Sequence, residues 1–424
     1  MKFQAIELPN GKYSSPNPSI KVFLLTITIV LLTMVPLSLI SDSHSSYRIP
    51  KTNISILKSI ELEKKCDIFS GNWVSDPKGP YYTNATCHLI IDQQNCMKFG
   101  RPDTEFLKWR WKPDDCKLPR FNGTQFLELV KGKSMAFVGD SVGRNQMQSL
   151  LCLLADVAYP KDVSLKYTSD INFKRWFYPD YSFTLATFWS PFLVKARDAD
   201  PSGHSYNSLM NLYLDEVDTA WSAQIENFDY VIISAGQWFF RPLVFYENGQ
   251  VVGCSNYQQR KIVDLTIYYG YRKAFRTAFR TLQNLKEYKG VTFLRTFSPS
   301  HFENGEWNKG GNCVRTKPFT NEEIRLDGYI MELFLTQMEE FKTSEEKGNK
   351  RHLQFGLLDT TEIMLRRPHG HPNNYGHSLH KNVTINDCVH WCLPGPIDTW
   401  NELLFYQLMK EAQASVREKL QKFV

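Results

Sequence analysis

Short apolar runs alternate with longer amphipathic segments through the middle of this chain. Each apolar run is bounded by turn residues, which is typical of a buried strand. The predicted strands are Met135 to Val138, Phe183 to Trp189, Tyr230 to Ser234, Thr292 to Thr296 and Gln354 to Leu358. The spacing of apolar positions predicts helices over about Ser141 to Ala155, Lys261 to Leu285, Asn321 to Glu346 and Ile397 to Met409. Strands separated by long helices predict an α/β fold with a mostly parallel sheet and helices on both faces.

The N-terminal part of the chain has a different pattern. Residues 22–40 form an apolar run long enough to span a bilayer, and Lys2, Lys12 and Lys21 precede it. This pattern predicts a single N-terminal transmembrane helix of the signal-anchor type, with a cleaved signal peptide as the alternative. The predicted segments are a cytoplasmic N-terminus (1–21), the anchor (22–40), a polar stalk (41–65), a smaller Cys- and Trp-rich lobe (66–130) and the α/β domain (131–424).

Several features after residue 40 indicate a lumenal compartment. All nine cysteines follow the anchor, and an oxidising compartment would pair most of them and leave at least one free thiol. Acceptor triplets for N-glycosylation occur at Asn53, Asn84, Asn122 and Asn382. The net charge of +6 is mild for 424 residues and is spread along the chain, so we expect no nucleic-acid partner.

The turn Gly139-Asp140-Ser141 follows the first predicted strand and opens the first predicted helix. Asp140 is a good N-cap residue, and Ser141 falls where unpaired N–H groups and the helix dipole favour negative charge. Such a place suits a nucleophile whose reaction develops an oxyanion. For this tripeptide alone, a plain strand-to-helix turn is the alternative interpretation.

A late loop supplies the partners that such a nucleophile needs. Asp387 and His390 are three residues apart, so one loop can present both side chains. A carboxylate can hold the tautomer and orientation of an imidazole while the other ring nitrogen faces a serine. A zinc site at Cys388, His390 and Cys392 is disfavoured because the spacing does not match a standard finger, and we expect no metal.

These motifs resemble the signature blocks of the plant trichome birefringence-like family. Gly139-Asp-Ser141 with Arg144-Asn145 resembles the first block, and the segment from Asp387 to Gly395 resembles the second. The segment from Cys66 to Phe121, with its Trp109-Arg-Trp-Lys-Pro run, is similar to the N-terminal domain of that family. The resemblance implies an SGNH/GDSL-hydrolase-like sheet flanked by helices, with a disulfide-held N-terminal lobe. It also implies a Golgi polysaccharide O-acetyltransferase, a single-pass type II membrane protein with its catalytic domain in the lumen.

The resemblance also implies residue roles and disulfide pairs. Ser141 would be the nucleophile, His390 the base and Asp387 the residue that orients the base, with an acetyl-serine intermediate. Cys66 would pair with Cys116, and Cys87 with Cys152. Cys254 and Cys313 would pair with Cys388 and Cys392 in an unknown order, which would leave Cys96 free.

Further residues are candidates for supporting roles. Gly236, Arg144 and Asn145 are candidates for helping the Ser141 N–H to stabilise the oxyanion or the donor. Trp238, Phe239 and Arg241 are candidate substrate-binding residues. The aromatic run Trp238, Phe239 and Phe240 is a candidate sugar-stacking wall, and core packing is its alternative. The segments from Ser234 to Leu243 and from Tyr246 to Gly249 resemble family members that acetylate xyloglucan. His369 departs from the family pattern, which usually has an acidic residue there.

The predicted function is therefore transfer of an acetyl group to hydroxyls of a plant cell-wall polysaccharide, with xyloglucan side chains favoured. We expect no bound cofactor, but an acetyl donor is needed as co-substrate, either acetyl-CoA or another acetyl carrier. The alternatives are transfer to xylan, mannan or pectin, a carbohydrate acetylesterase with the same triad, and a non-catalytic protein that binds wall polysaccharide.

Overall fold

A seven-stranded sheet forms the centre of the chain in the computed structural model, which describes residues 66–200, 207–259, 261–377 and 386–421. In spatial order its strands are Gln354–Leu358, Val291–Arg295, Tyr230–Ser234, Ser134–Gly139, Phe183–Trp189, Lys174–Tyr178 and Lys161–Asp162. The first five are parallel, and the last two pair antiparallel at one edge. The five parallel strands correspond to the five strands predicted from sequence.

Two smaller sheets were not predicted. A four-stranded sheet has the order Gln250–Ser255, Leu243–Glu247, Met210–Val217 and Val194–Asp198, and a two-stranded antiparallel sheet joins Gly71–Ser75 to Trp109–Pro113. The strands of the four-stranded sheet carry charged and polar residues among their apolar ones. Leu243–Glu247 begins with a short apolar run, but the other three strands lack the uninterrupted run that reveals a fully buried parallel strand.

Helices cover both faces of the central sheet. The α-helices are Gly123–Leu129, Ser141–Leu154, Thr219–Ser222, Thr266–Asn284, Gly328–Asn349, Thr361–Leu365 and Asp398–Gln421. Short 3-10 helices span Asp92–Gln94, Glu105–Leu107, Ser164–Lys166, Pro179–Tyr181, Gln237–Phe240 and Pro368–Gly370.

Alternate residues of the central strands enter two different hydrophobic cores. Met135 and Phe137 belong to the core beneath the Ser141–Leu154 and Asp398–Gln421 helices. Ala136 and Val138 belong to the core on the opposite face, beneath the Thr266–Asn284 helix. Because successive side chains of a strand point to opposite faces, a sheet covered on both sides needs such uninterrupted apolar strands.

The N-terminal lobe packs on the face that carries the Ser141–Leu154 helix. Trp111 and Phe121 are buried in the same core as residues of that helix. The indole of Trp73 donates a hydrogen bond to the carbonyl of Ile363 at 2.8 Å, and Tyr82 donates to Asp398 at 2.8 Å. The lobe therefore shares the core of the larger domain.

Four disulfides hold this arrangement, and they correct part of the predicted pairing. Cys66–Cys116 and Cys87–Cys152 are both present. The other two pairs are Cys96–Cys392 and Cys313–Cys388. The resemblance implied that Cys96 is free, and this was wrong because Cys96 is paired. Cys254 is the unpaired cysteine of the described chain. It lies in a strand of the four-stranded sheet, with its thiol buried beside the carbonyl of Tyr257.

The predicted fold class also needs a correction. Within the described ranges, no helix is both long and apolar enough to cross a membrane. For the described residues the fold class is therefore a mixed α/β fold with several disulfides and no membrane-spanning helix. The predicted cytoplasmic, anchor and stalk segments (1–21, 22–40 and 41–65), as well as Asn53 and Asn382, lie outside the described residues. Asn84 and Asn122 are both exposed.

The Cys96–Cys392 disulfide should be the most informative one to remove, because it joins the lobe to the C-terminal loop across 296 residues of sequence. In the double variant Cys96→Ala/Cys392→Ala we expect the free energy of unfolding to fall by about 2–4 kcal/mol. The single variant Cys254→Ala, which breaks no disulfide, should lose about 1 kcal/mol. Chemical denaturation of the three proteins measures both effects, and equal losses would contradict the pairing.

Candidate active site

The backbone at Gly139 makes the turn before Ser141 possible. Gly139 has a φ of +149°, and a Cβ atom there would lie 1.5 Å from the carbonyl oxygen of Ser234 on the neighbouring strand. The next residue, Asp140, donates its N–H to the same Ser234 carbonyl at 3.2 Å. Only glycine fits this close approach, so the turn is fixed by its backbone.

Asp140 caps the helix that Ser141 begins. Its Oδ1 accepts hydrogen bonds from the N–H groups of Val142 and Gly143, at 3.0 and 3.4 Å. Its Oδ2 accepts from the N–H of Gln237 at 3.3 Å. Asp140 therefore joins the start of the helix to the loop after the neighbouring strand, and its hydrogen bonds within the described chain are those of a helix cap, not those of the acid of the triad.

Ser141, His390 and Asp387 form one hydrogen-bonded line at the carboxyl end of the central strand. His390 Nε2 lies 2.7 Å from Ser141 Oγ, and His390 Nδ1 lies 2.8 Å from Asp387 Oδ2. The His390 and Asp387 side chains keep 26% and 23% of their surface exposed, so the site is open to a ligand. This is the geometry of a nucleophile, a base and an orienting carboxylate.

The loop that carries the base is held by its own backbone. Asp387 Oδ1 accepts from the N–H groups of Val389 and His390, at 3.0 and 2.9 Å. The peptide of Asp387 also forms two backbone hydrogen bonds with Asn373, at 2.8 and 2.9 Å. Cys388 and Cys392 are both in disulfides, so neither is a zinc ligand.

The Asp387–His390 pair favours its charged form. Burial raises the pKa of Asp387, but the His390 ring and the backbone N–H groups outweigh it and hold that pKa well below its usual range. Burial lowers the pKa of His390, but the Asp387 carboxylate outweighs it and raises that pKa above its usual value. The Arg144 guanidinium opposes this rise. The pair is therefore suited to stabilise an imidazolium while Ser141 reacts.

The candidate oxyanion residues Gly236 and Asn145 have different positions and contacts in the structure. Gly236 lies two residues after Ser234, which pairs with Gly139 in the parallel sheet, so Gly236 is at the same edge as Ser141. Asn145 is fully buried, and its amide forms two hydrogen bonds with the backbone of Trp391, at 2.8 and 3.3 Å. Asn145 therefore anchors the His390 loop, which corrects its predicted role as a donor to the reacting group.

Arg144 lies close to the site, and no carboxylate of the described residues is within hydrogen-bond range of it. Its guanidinium lies 5.4 Å from the centre of the Trp189 ring, and its Nε has no hydrogen-bond partner among the described residues. Burial lowers its pKa, and the charge of Asp140 opposes that change. Arg144 can therefore direct a positive charge toward a donor or an oxyanion.

The candidate substrate-binding residues are divided between core and surface. Phe239 is fully buried among Phe192 and Tyr271, so its predicted contact with substrate is wrong. Arg241 is also buried, and its guanidinium stacks 3.7 Å from the Trp238 ring centre. Trp238 remains half-buried at the carboxyl edge of the sheet.

Two further aromatic residues, which were not predicted, pack against members of the candidate sugar-stacking run. Trp189 ends a predicted strand directly opposite Gly139, and its ring packs edge-on against Trp238 at 5.2 Å. Its position at a strand end was visible in the sequence. Tyr329 packs edge-on against Phe240 at 5.6 Å, and only the tertiary fold brings these two together.

Comparison with known proteins gives this site a family. The profile of a GDSL/SGNH-like acyl-esterase family found in Pmr5 and Cas1p matches residues 118–407, and the PMR5 N-terminal domain matches residues 64–117. Protein trichome birefringence-like 19 of Arabidopsis thaliana is 48% identical over 97% of this chain and 99% of its own length. Xyloglucan O-acetyltransferase 4 of Populus trichocarpa is 42% identical over 93% of this chain and 92% of its own length. Xyloglucan O-acetyltransferase 2 of Arabidopsis thaliana is 43% identical over 81% of this chain and 83% of its own length. The chain therefore belongs to the trichome birefringence-like family, with a GDSL/SGNH-like acyl-esterase domain.

Proposed function

We propose that this chain transfers acetyl groups to hydroxyls of a plant cell-wall polysaccharide, with xyloglucan side chains as the favoured acceptor. The observation that carries the proposal is the hydrogen-bonded line from Asp387 through His390 to Ser141, at the N-terminus of a helix. Two relatives named xyloglucan O-acetyltransferases support the choice of acceptor. No metal is needed for this chemistry, and the acetyl donor is a co-substrate, acetyl-CoA or another acetyl carrier.

The first half of the reaction acetylates the enzyme. Ser141 Oγ attacks the acetyl carbonyl of the donor while its proton passes to His390 Nε2. The donor's leaving group then takes that proton from His390 and departs. Asp387 stabilises the imidazolium between these two proton transfers.

The second half of the reaction acetylates the sugar. A hydroxyl of the acceptor loses its proton to His390 Nε2 and attacks the acetyl-serine carbonyl. The bond to Ser141 Oγ breaks, and the proton returns from His390 to that oxygen. Each oxyanion would meet the N–H groups of Ser141 and Gly236, close to the positive end of the helix dipole. Arg144 adds a positive charge on the same side.

Aromatic rings along the carboxyl edge of the sheet offer a path for the acceptor. Trp238 and Phe240 follow one strand, with Tyr329 packed on Phe240; Ser141 follows the next strand, and Trp189 ends the third. Adjacent strands are about 4.8 Å apart, so these three strands cover about 10 Å. A polysaccharide chain that crosses this edge would have rings to stack on at both sides of the nucleophile.

The disulfides support a proposal for the compartment. Four disulfides need an oxidising environment to form and persist, and this supports a lumenal site in the secretory pathway, which we propose to be the Golgi. The exposed Asn84 and Asn122 can be reached by glycosylation there.

Transfer to the acceptor should depend on Ser141. With an isotope-labelled acetyl donor and xyloglucan oligosaccharides, we expect label in the oligosaccharide and, briefly, on Ser141. Ser141→Ala should lower transfer by about 10³-fold or more because no acyl-enzyme can form, while the exposed control Ser75→Ala keeps its activity. Mass spectrometry of the products measures both, and parallel assays with xylan, mannan and pectin define the acceptor. Release of free acetate alone would favour an esterase, and an active Ser141→Ala variant would refute the triad.

The pH dependence should report the state of His390. His390 must be neutral to take the serine proton, so kcat/KM should rise with pH and level off above the pKa of His390, which the Asp387 carboxylate raises above its usual value. Asp387→Asn removes the charge that raises this pKa, so the rising limb should move to lower pH and the plateau should fall by about 10³-fold or more. Asp156→Asn, at an exposed carboxylate, should leave both unchanged. If kcat/KM of Asp387→Asn rises over the same pH range as in the native chain, the pairing of Asp387 with His390 would be contradicted.

The aromatic path should affect the acceptor and not the donor. Phe240 and Tyr329 are 38% and 42% exposed, so their truncation removes contact area without opening the core. For Phe240→Ala and Tyr329→Ala we expect KM for a long xyloglucan oligosaccharide to rise about tenfold, while the rate of Ser141 acetylation stays unchanged. Tyr159→Ala serves as control, since Tyr159 is also exposed and follows the opposite end of the Ser141–Leu154 helix. An unchanged KM in both variants would refute the path.

A further inference from the structure

Two buried histidines lie behind the triad and have no role in the proposed reaction. His301 is 8% exposed and His371 is 1% exposed. His301 Nδ1 lies 2.7 Å from His371 Nε2, so the two rings form one hydrogen-bonded pair. We call them the histidine pair.

Each end of the histidine pair faces a backbone carbonyl. His301 Nε2 lies 2.9 Å from the oxygen of Leu365, and His371 Nδ1 lies 2.7 Å from the oxygen of His390. A carbonyl oxygen can only accept, so each end contact needs an N–H on the ring. The contact between the rings needs a third N–H.

Two neutral imidazoles carry only two ring protons between them. One of the three contacts must therefore lack its proton when the pair is neutral, and all three are made only when the pair holds one extra proton. The extra proton would place a positive charge in a buried site, which is costly without a counter-charge.

The charges around the pair decide between these states. Burial lowers the pKa of His301 to about 4, and burial with the charge of His301 lowers the pKa of His371 well below its usual range. The charged or titratable groups that face the pair are Glu303 and Arg315 near His301, Asp387 and His390 near His371, and His369 with Arg101 and Arg367 on the adjoining turn and lobe. At neutral pH the pair therefore holds two protons, and one contact is left without a proton.

His371 contacts the peptide of the proposed catalytic base from one side, and other groups hold the same backbone from the other. Asp387 accepts the N–H of His390, and Asn145 accepts the N–H of Trp391. The His371 ring also stacks on the Trp391 indole with 4.0 Å between ring centres. Within the described residues, His371 is the group placed to donate to the His390 carbonyl.

We propose that His371 is a positioning residue for His390, with its one proton kept on Nδ1 and donated to the His390 carbonyl. His371 Nε2 then accepts the Nδ1–H of His301, and the contact between His301 Nε2 and Leu365 is the one without a proton. The contact to His390 is the shorter of the two end contacts, so a missing proton there would bring two lone pairs closest together. In acid a third proton binds at His301 Nε2, so that all three contacts of the histidine pair have a proton.

Two substitutions at position 371 separate this role from packing, and their activity test rests on the proposed function. In His371→Asn the side-chain amide nitrogen takes the place of Nδ1, whereas in His371→Gln it takes the place of Nε2. Both variants lose the ring and its stacking on Trp391. We expect His371→Asn to keep kcat within about threefold of the native chain, and His371→Gln to lose about tenfold or more with KM unchanged. The exposed control His88→Gln should match the native chain. Equal activities of the Asn and Gln variants would overturn the proposal.

A second measurement does not depend on activity. In the full chain with ¹⁵N-labelled histidine, long-range ¹⁵N–¹H spectra distinguish a ring protonated on Nδ1 from one protonated on Nε2. We expect His371 to carry its proton on Nδ1 at neutral pH, with its signals assigned by their loss in His371→Asn. A proton on Nε2 of His371 would overturn the proposal even if the chain transfers acetyl groups, and a proton on Nδ1 would support it even if the chain transfers none.

Discussion

The whole site depends on one contact between distant parts of the chain, the hydrogen bond from Ser141 to His390. These residues are 249 positions apart in sequence, and a distance of 2.7 Å between their side chains requires both backbones to be fixed. On the Ser141 side, the close approach of Gly139 to the Ser234 carbonyl fixes the turn. On the His390 side, a short loop is fixed by hydrogen bonds at nearly every peptide. A loose partner on either side would leave a serine with no base.

The central sheet could be predicted from the sequence because its strands have hydrophobic patterns that are local in sequence. A parallel strand buried on both faces must be apolar throughout, so Ser134–Gly139 and Tyr230–Ser234 are visible without knowledge of their neighbours. The four-stranded sheet was missed because most of its strands mix polar and apolar residues and because its pairing is irregular, with register shifts between Val194 and Lys195 and between Phe245 and Tyr246. A pattern of period two that is broken in this way resembles a loop.

The site was only partly readable for a related reason. The residue types and spacing of Ser141, Asp387 and His390 indicate the chemistry directly, because the triad needs those groups. The role of Asn145 depends on which backbone it meets, and the sequence has no record of its contact with Trp391. The error at Phe239 has the same origin, since a short 3-10 helix sends one ring into the core and the next toward solvent. The order of the disulfides likewise depends on the docking of the lobe, which placed Cys96 beside Cys392.

That docking makes the N-terminal lobe part of the support of the active site. Arg101 of the lobe donates hydrogen bonds to the carbonyls of His369 and His371, at 2.5 and 2.7 Å. The turn held in this way is the one from which His371 reaches the His390 carbonyl. Cys96 is bonded to Cys392, two residues beyond His390, so a covalent and a hydrogen-bonded link run from the lobe to the same loop. The lobe contributes no atom to the triad, yet its removal would break the links that hold the backbone of the His390 loop in place.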